Sequence, residues 1–534
     1  MSGWMQHLAV LPIIVPLLAG ALMIPMEDQR GRLRAALGVI SALALIPIAA
    51  ALAWQAHAGD GIVTVYRLGN WPATFGIVLV ADRLAALMLV LTAVLGFSAL
   101  LFSLTRWQRV GSHFHPLFQF QLMGLNGAFL TGDLFNLFVF FEVLLAASYG
   151  LALHGSGVAR VKAGLHYISI NLAASLLFLI GVSMIYGVAG TLNMADLAAR
   201  IPQMPAEDRP LLEAGAAILG TAFLVKAAMW PLGFWLGPTY AAASPPAAAI
   251  FSLMSKVGVY AVLRLSLLLF GADAGGSAGF GNTFLLAGGI MTIGFGAVSV
   301  LATQDLSRLA GACVLISSGT LLAAVGAGQV AVTGGALIYL ASSALAIGAL
   351  FLLIELLERG REIGADVLAV TLEAFGDGDE DDEHEDEESG ESIPATMAIL
   401  GVSFLCCALV LAGLPPLSGF IGKFAMLSGI LNPDGLGSGP AGLPISGWAL
   451  LAALVLSGFA TVLAMARAGI RSLWATERSV PMVGMAEIAP VLLLIGLCVA
   501  MTAAAGPVTR YMQAAATSLH APQDYVRGVT GDSR

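Results

Sequence analysis

The sequence predicts an all-α membrane protein of about fourteen transmembrane helices, arranged as two inverted five-helix repeats with broken helices 7 and 12. Three observations predict it. Charge is scarce, at 11% of 534 residues, where a soluble globular domain carries about 25%. Apolar stretches of about 20 residues recur from end to end, each long enough to cross a hydrocarbon core of about 30 Å as a helix. Pro and Gly interrupt two of those stretches, five spans apart. The 63 glycines fit the same class, because small residues let membrane helices approach closely.

The apolar periods place spans at 6–26, 34–56, 77–104, 114–131, 134–153, 165–189, 212–236, 246–270, 282–301, 306–326, 331–357, 395–428, 447–469 and 488–511. The first stretch lacks a basic leading segment and contains Pro12, Pro16 and Pro25, so it reads as a span rather than a cleaved signal. Span 7 contains LVKAAMWPLGFWLGP, with Pro231 and Gly233 just after Lys226. Span 12 contains LAGLPPLSGFIGKFAML, with Pro415, Pro416 and Gly419 just before Lys423. Helices broken at membrane depth are tolerated where they line a cavity, and they recur at corresponding positions of inverted repeats. The chain therefore divides into helices 1–3 over residues 1–111, a first repeat (helices 4–8) over 112–272, a second (helices 9–13) over 273–475, and helix 14 with a tail over 476–534.

Basic residues in short loops orient such a chain. Every second loop is Arg-rich: Arg30, Arg32 and Arg34, then Arg106 and Arg109, Arg160 and Lys162, Arg308, Arg359 and Arg361, and Arg467, Arg471 and Arg478. This alternation puts both termini outside and the loop 372–392 in the cytoplasm. That loop holds the run DGDEDDEHEDEESGE from Asp377 to Glu391, the source of most of the net charge of −9. It reads as a solvated acidic loop, or as one that collects cations or docks a partner. No basic stripe points to nucleic acid. The four cysteines, Cys313, Cys406, Cys407 and Cys498, have no metal-site spacing, and no cofactor is expected.

The chemistry rests on lysine. Four of the 24 Lys and Arg residues are lysine, and three of those four, Lys226, Lys256 and Lys423, fall in apolar helices. A charge at the bilayer centre costs at least ~2.5 kcal/mol, which only function readily explains. Arg stays charged, whereas burial lets Lys release its proton. Glu142, in the middle of span 5, is the natural partner for a buried lysine, and proton exchange between coupled sites lets one drive the next. Relay candidates are Asp133 at the start of span 5, His166 at the start of span 6, and Ser317, Ser318 and Ser342 in spans 10 and 11. Arg264 in span 8 should pair with a carboxylate or a backbone carbonyl.

The stretches TGDLFNLFVFFEVLLAASYGL, FLVKAAMWPLGFWLGPTYAAASPPAAAIFSLMSKVGVYAVLRL and AGLPPLSGFIGKFAML resemble the antiporter-type large subunits. This superfamily comprises the proton-pumping membrane subunits of respiratory complex I and the large subunits of Mrp-type cation/proton antiporters. The resemblance covers residues 1–515 and favours the D-type subunits of the Mrp (or Pha) multisubunit antiporters. TYAAASPPAAAIFSLMSKVGVY is its most specific stretch, and the acidic insert resembles the Pha-type branch. The resemblance implies a 14-helix fold in a bacterial inner membrane, partnered by a large A-type subunit and several small membrane subunits. It matches Glu142 to the helix 5 glutamate, Lys226 to the lysine beside the helix 7 break, Lys256 to the bridging lysine of helix 8, and Lys423 to the ionisable residue of helix 12. The second half departs from the pattern. Ser307 and Ile347 stand where lysines are usual, and Cys313 and Ser342 where histidines are. The link from Lys256 to Lys423 is thus short of titratable groups, and waters on Ser317, Ser318, Ser342, Ser343 and Thr320 would have to fill it.

The expected activity is antiport, with protons exchanged for Na+ or K+ and no enzymatic step. Two rival readings use the same residues. One is a proton-pumping subunit of a complex I or membrane-bound hydrogenase-type redox complex. The other is a scaffold subunit that conducts nothing.

Overall fold

Helices fill the chain wherever its apolar stretches fall. The structure is a computed structural model that describes residues 7–27, 30–59, 63–73, 76–107, 113–155, 157–375, 395–432, 443–473 and 483–531, with only the backbone described for 360–375. The acidic run Asp377–Glu391 lies outside the described residues.

The first helices are α1 (Leu11–Met23), α2 (Gly31–Ala58), α3 (Arg83–Ser103), α4 (Phe114–Leu130), α5 (Leu134–Ala152) and α6 (Val158–Ala189). Then come the short α7 (Met194–Arg200), α8 (Arg209–Lys226), the short α9 (Leu236–Ala242) and α10 (Pro245–Leu269). The second half holds α11 (Asn282–Ala302), α12 (Leu306–Ala327), α13 (Val330–Phe375), α14 (Ala395–Ala412), α15 (Ser418–Leu431), α16 (Ile445–Leu473) and α17 (Met485–Ala503). Two C-terminal helices, α18 (Ala505–His520) and α19 (Gln523–Thr530), complete it. Eleven helices among the described residues are long and apolar enough to cross a membrane; α1 and α15 are apolar but shorter.

Four segments differ from the sequence expectation. Residues 78–81 were expected inside span 3, but they form strand β2 (Val78–Ala81), paired antiparallel with β1 (Thr64–Arg67). The helix begins only after Asp82, whose Oδ1 accepts from the Ala85 amide at 2.9 Å and caps it. The sixth span starts at Val158 rather than 165, which places His166 inside the helix. The eleventh runs on to Phe375, since the stretch after 357 contains no proline. The last expected span is interrupted at Ala504, which separates α17 from α18.

Both expected breaks are present. At the first, α8 stops at Lys226 and Ala228 turns left-handed (φ 57°). Pro231 then disfavours helical backbone before it. The carbonyl of Val225, whose helical donor Met229 turns instead to Leu224, accepts from the Ala228 amide and the Trp235 indole, both at 3.1 Å. The Trp230 amide donates to Thr292 Oγ1 at 2.9 Å. At the second, α14 ends at Gly413 (φ 76°), followed by Pro415 and Pro416. Each break has a glycine whose side-chain space is filled by backbone. A Cβ on Gly233 would run into the Ala228 carbonyl, and one on Gly419 into that of Val410.

The apolar stretches of α10, α12 and α13 are enclosed by the other helices, while those of α2, α6, α11, α14, α16 and α17 are largely exposed on the outside of the bundle. The enclosed three lie side by side, with α8 against α10 and α15 against α13. This puts the two broken helices on either flank of the enclosed core.

Gly419→Ala is expected to destabilise the protein by about 2 kcal/mol or more, since backbone, not a movable side chain, occupies the space. Thermal unfolding in detergent checks this; Gly401→Ala on α14, where only the Leu473 side chain approaches at 3.6 Å, should be close to neutral.

Candidate functional site

The structure places all three helical lysines in the interior. Lys256 is 0% exposed, Lys226 and Lys423 5% each. They sit on α8, α10 and α15, one on an enclosed helix and one on each of the flanking broken helices.

Lys226 is the last residue of α8, at the break. Its Nζ has no hydrogen-bond partner among the described residues and lies 4.9 Å from the centre of the Phe141 ring. A cation over an aromatic face gains some attraction, but far less than an ion pair would. The direct Glu142–Lys226 pair expected from sequence is not formed. The half-buried Glu142 instead accepts from Ser175 Oγ at 2.5 Å. Phe141, the residue before Glu142, holds the place beside the ammonium. Gly258 of α10 packs backbone to backbone against the break, where a Cβ would sit 2.6 Å from the Ala227 amide. That contact fixes α10, and with it Lys256, against Lys226.

Lys256 donates to Ser318 Oγ on α12 at 3.2 Å. Next to it, Ser317 Oγ lies 2.9 Å from Ser343 Oγ on α13. The hydroxyl link between α12 and α13 therefore uses Ser343. Ser342, the residue named from sequence, bonds back to its own helix at Ile338 (2.9 Å).

Lys423 donates to the carbonyl of Ala412 at 2.9 Å. This is one of the last carbonyls of α14, which lack helical donors and carry the negative end of the helix dipole. The lysine thus caps the broken half-helix in front of it. Gly413 makes this possible, since a Cβ there would strike the Lys423 side chain.

The other relay candidates stand apart. Asp133 caps α5, its Oδ1 accepting from the Asn136 amide at 2.8 Å. His166 is exposed and pairs with the Lys162 carbonyl of its own helix at 3.0 Å. Sequence reasoning missed three contributors: Phe141, Ser175 and Tyr339. Tyr339 is buried on α13, with the Lys423 ammonium 5.7 Å from its ring centre. Its position three and four residues before Ser342 and Ser343 was a usable signal, because residues so spaced share a helix face and a buried tyrosine hydroxyl usually finds a polar neighbour.

Two charged clusters close the ends of the bundle. At one end, Arg264 of α10 makes a two-pronged pair with Asp82 (2.6 and 2.7 Å) and packs over the Tyr260 and Tyr525 rings. This is the carboxylate partner Arg264 was expected to need, and Tyr525 brings α19 onto it. At the other end, Arg359 bonds both Glu355 (2.8 Å) and Glu487 (2.6 Å), while the Trp107 indole donates to Glu355 at 2.7 Å. Among the described residues no cluster of His, Cys, Asp and Glu could hold a metal ion.

The model of the transmembrane region shared by NADH:quinone oxidoreductase and Mrp antiporters matches residues 131–436. The D-type subunit of a probable K(+)/H(+) antiporter from Rhizobium meliloti is 57% identical over 98% of this chain and 97% of its own length. The chain belongs to the NADH:quinone oxidoreductase/Mrp antiporter family. Within this family it is a D-type subunit of the Mrp branch. The D-type subunit of an Na(+)/H(+) antiporter from Alkalihalophilus pseudofirmus is 32% identical over 98% of this chain and 99% of the relative. A chain in the structure of the Mrp complex from Dietzia sp. superposes with a TM-score of 0.82 at 25% identity, over 99% of this family member and all of that chain. A chain of respiratory complex I from Thermus thermophilus shares the fold, with a TM-score of 0.73 at 23% identity, over 96% of this family member and 99% of that chain.

Breaking the buried Asp82–Arg264 pair from one side leaves an uncompensated charge, which costs about 3–5 kcal/mol. Arg264→Ala should therefore lower the melting temperature sharply. Asp82→Asn combined with Arg264→Gln should lower it less than Arg264→Ala alone, as read by thermal unfolding in detergent.

Proposed function

We propose that this chain is the proton-translocating subunit of a multisubunit antiporter that exchanges protons for Na+ or K+. One observation carries the reading: three buried lysines, one on an enclosed helix and one on each flanking broken helix, with Lys226, at a helix break, having no hydrogen-bond partner for its ammonium among the described residues. A permanently charged, unpartnered ammonium would cost several kcal/mol. A group that charges only while a proton passes bears that cost only transiently.

In this reading fourteen spans form two inverted five-helix repeats, with α8–α9 and α14–α15 as the broken helices. Glu142 modulates Lys226 by its charge at a distance rather than by direct pairing. Lys226 and Lys256 hand protons inward along the row, and Lys423 gates the far end at the broken α14. Antiport needs no bond made or broken beyond proton exchange, so the chain acts as a transporter subunit and not as an enzyme. The large A-type subunit and small membrane subunits would pack on the exposed apolar faces, in a bacterial inner membrane. Both termini would face outward. The gathering of Arg106, Arg160 and Arg359 at one end of the bundle supports a cytoplasmic assignment for that end. K+ is the first cation to test, because the 57% identical relative is named for it.

Lys226→Ala in the assembled complex should reduce cation-dependent proton movement in inverted vesicles at least tenfold while the subunits still co-purify. Unchanged transport would overturn the reading. Ser175→Ala, which frees the Glu142 carboxylate without removing it, should change the rate less than Glu142→Gln does in the same assay.

A further inference from the structure

The sequence leaves a gap between Lys256 and Lys423, because the lysines and histidines usual in this stretch are replaced. We propose that Tyr339 closes the gap as a neutral proton relay between the two lysines, an inference that rests on the proton-translocating reading above.

The polar groups follow one another from helix to helix. Lys256 Nζ on α10 reaches Ser318 Oγ on α12 at 3.2 Å. Ser317, the adjacent residue, reaches Ser343 on α13 at 2.9 Å. Tyr339 lies one turn before Ser343 on the same face of α13. Its hydroxyl feels those of Ser317 and Thr320 on α12, without a direct hydrogen bond to either. Thr320 is itself buried, and its Oγ1 has no bonded partner among the described residues. The other side of the tyrosine meets Lys423, whose Nζ is 5.7 Å from the ring centre.

The backbone holds this arrangement in place. A Cβ on Gly422, the residue before Lys423, would sit 2.7 Å from the Tyr339 amide. Helices α13 and α15 therefore touch at the pair that must exchange. The groups named along this line between the lysines are all neutral hydroxyls, so the transfer must pass through groups that end as they began.

A phenol can do this without ionising. Its oxygen accepts a proton from the serine–threonine side while its own O–H proton moves on toward Lys423. Lys256 goes from ammonium to amine and Lys423 from amine to ammonium. Each hydroxyl between them regains the proton it gives, so one proton is moved and no electron pair is left over. The new ammonium is then received by the Ala412 carbonyl, already 2.9 Å away.

The plain alternative is that Tyr339 only packs, its ring supporting the lysine. Tyr339→Phe separates the two, because it keeps the ring and removes the hydroxyl. In the assembled complex, with co-purification of the subunits confirmed, Tyr339→Phe should lower cation-dependent proton movement at least tenfold. It should also raise the ratio of rates in H2O and D2O above wild type, a change that loss of packing would not produce. Thr320→Val should shift both readouts the same way, less strongly. If Lys226→Ala abolishes transport but Tyr339→Phe runs at the wild-type rate with the wild-type isotope ratio, the relay is overturned and the proton-translocating reading stands. If Lys226→Ala also transports normally, both fall together.

Discussion

A helix interrupted inside an apolar interior leaves carbonyls without donors, and each must find one or the structure does not form. Much of the architecture around the two breaks answers that demand. At the first, the Trp235 indole reaches back to Val225, and Thr292 receives the Trp230 amide. At the second, the donor is Lys423 itself. The same constraint explains the glycines. Gly233 and Gly419 sit where the returning chain presses on a carbonyl, and Gly413 leaves room for the lysine that fills the vacancy.

The two halves meet this demand differently, and the difference divides the lysines. Lys226 is spared from capping, because a tryptophan does that work, so its ammonium is left over an aromatic ring with no acceptor among the described residues. Lys423 is tied to the end of α14. The ammonium of the first has only a ring face and the more distant Glu142 carboxylate to support it, whereas that of the second has carbonyl oxygens. Lys256 stands between them with a single serine hydroxyl.

Much of this could be read from the sequence, because burial of charge is so rare in such a chain that each lysine announced itself. The breaks were legible because Pro and Gly cluster there, beside a lysine, whereas single prolines such as Pro47 and Pro490 stay inside continuous helices. The boundaries were less so. Val78–Ala81 is as apolar as the helix it precedes, and only the pairing with Thr64–Arg67 makes it a strand. The Glu142–Lys226 pairing failed because sequence shows which charges share a neighbourhood but not which side chain each one meets; here Lys226 meets Phe141 and Glu142 meets Ser175. Ser343 rather than Ser342 was undecidable without the rotation of α13 about its axis. Tyr339 was overlooked because a tyrosine in an apolar helix is usually packing, and its neighbours come from a different helix.

Helix α13 carries Tyr339 and Ser343 at its enclosed centre and Glu355 and Arg359 in the cluster with Glu487 and Trp107 at one end of the bundle. About sixteen residues of unbroken helix separate Tyr339 from Glu355, about 24 Å at 1.5 Å per residue. Among the helices of the lysine row, α8 and the α14–α15 pair are broken, and so can absorb a local shift. Helix α13, packed against α10, α12 and α15, is continuous over this length. A neighbour that tugged on the Glu355–Arg359 end would carry the phenol and the hydroxyl with it, so the ion pairs at the end of the bundle and the hydroxyls at its centre are parts of one lever.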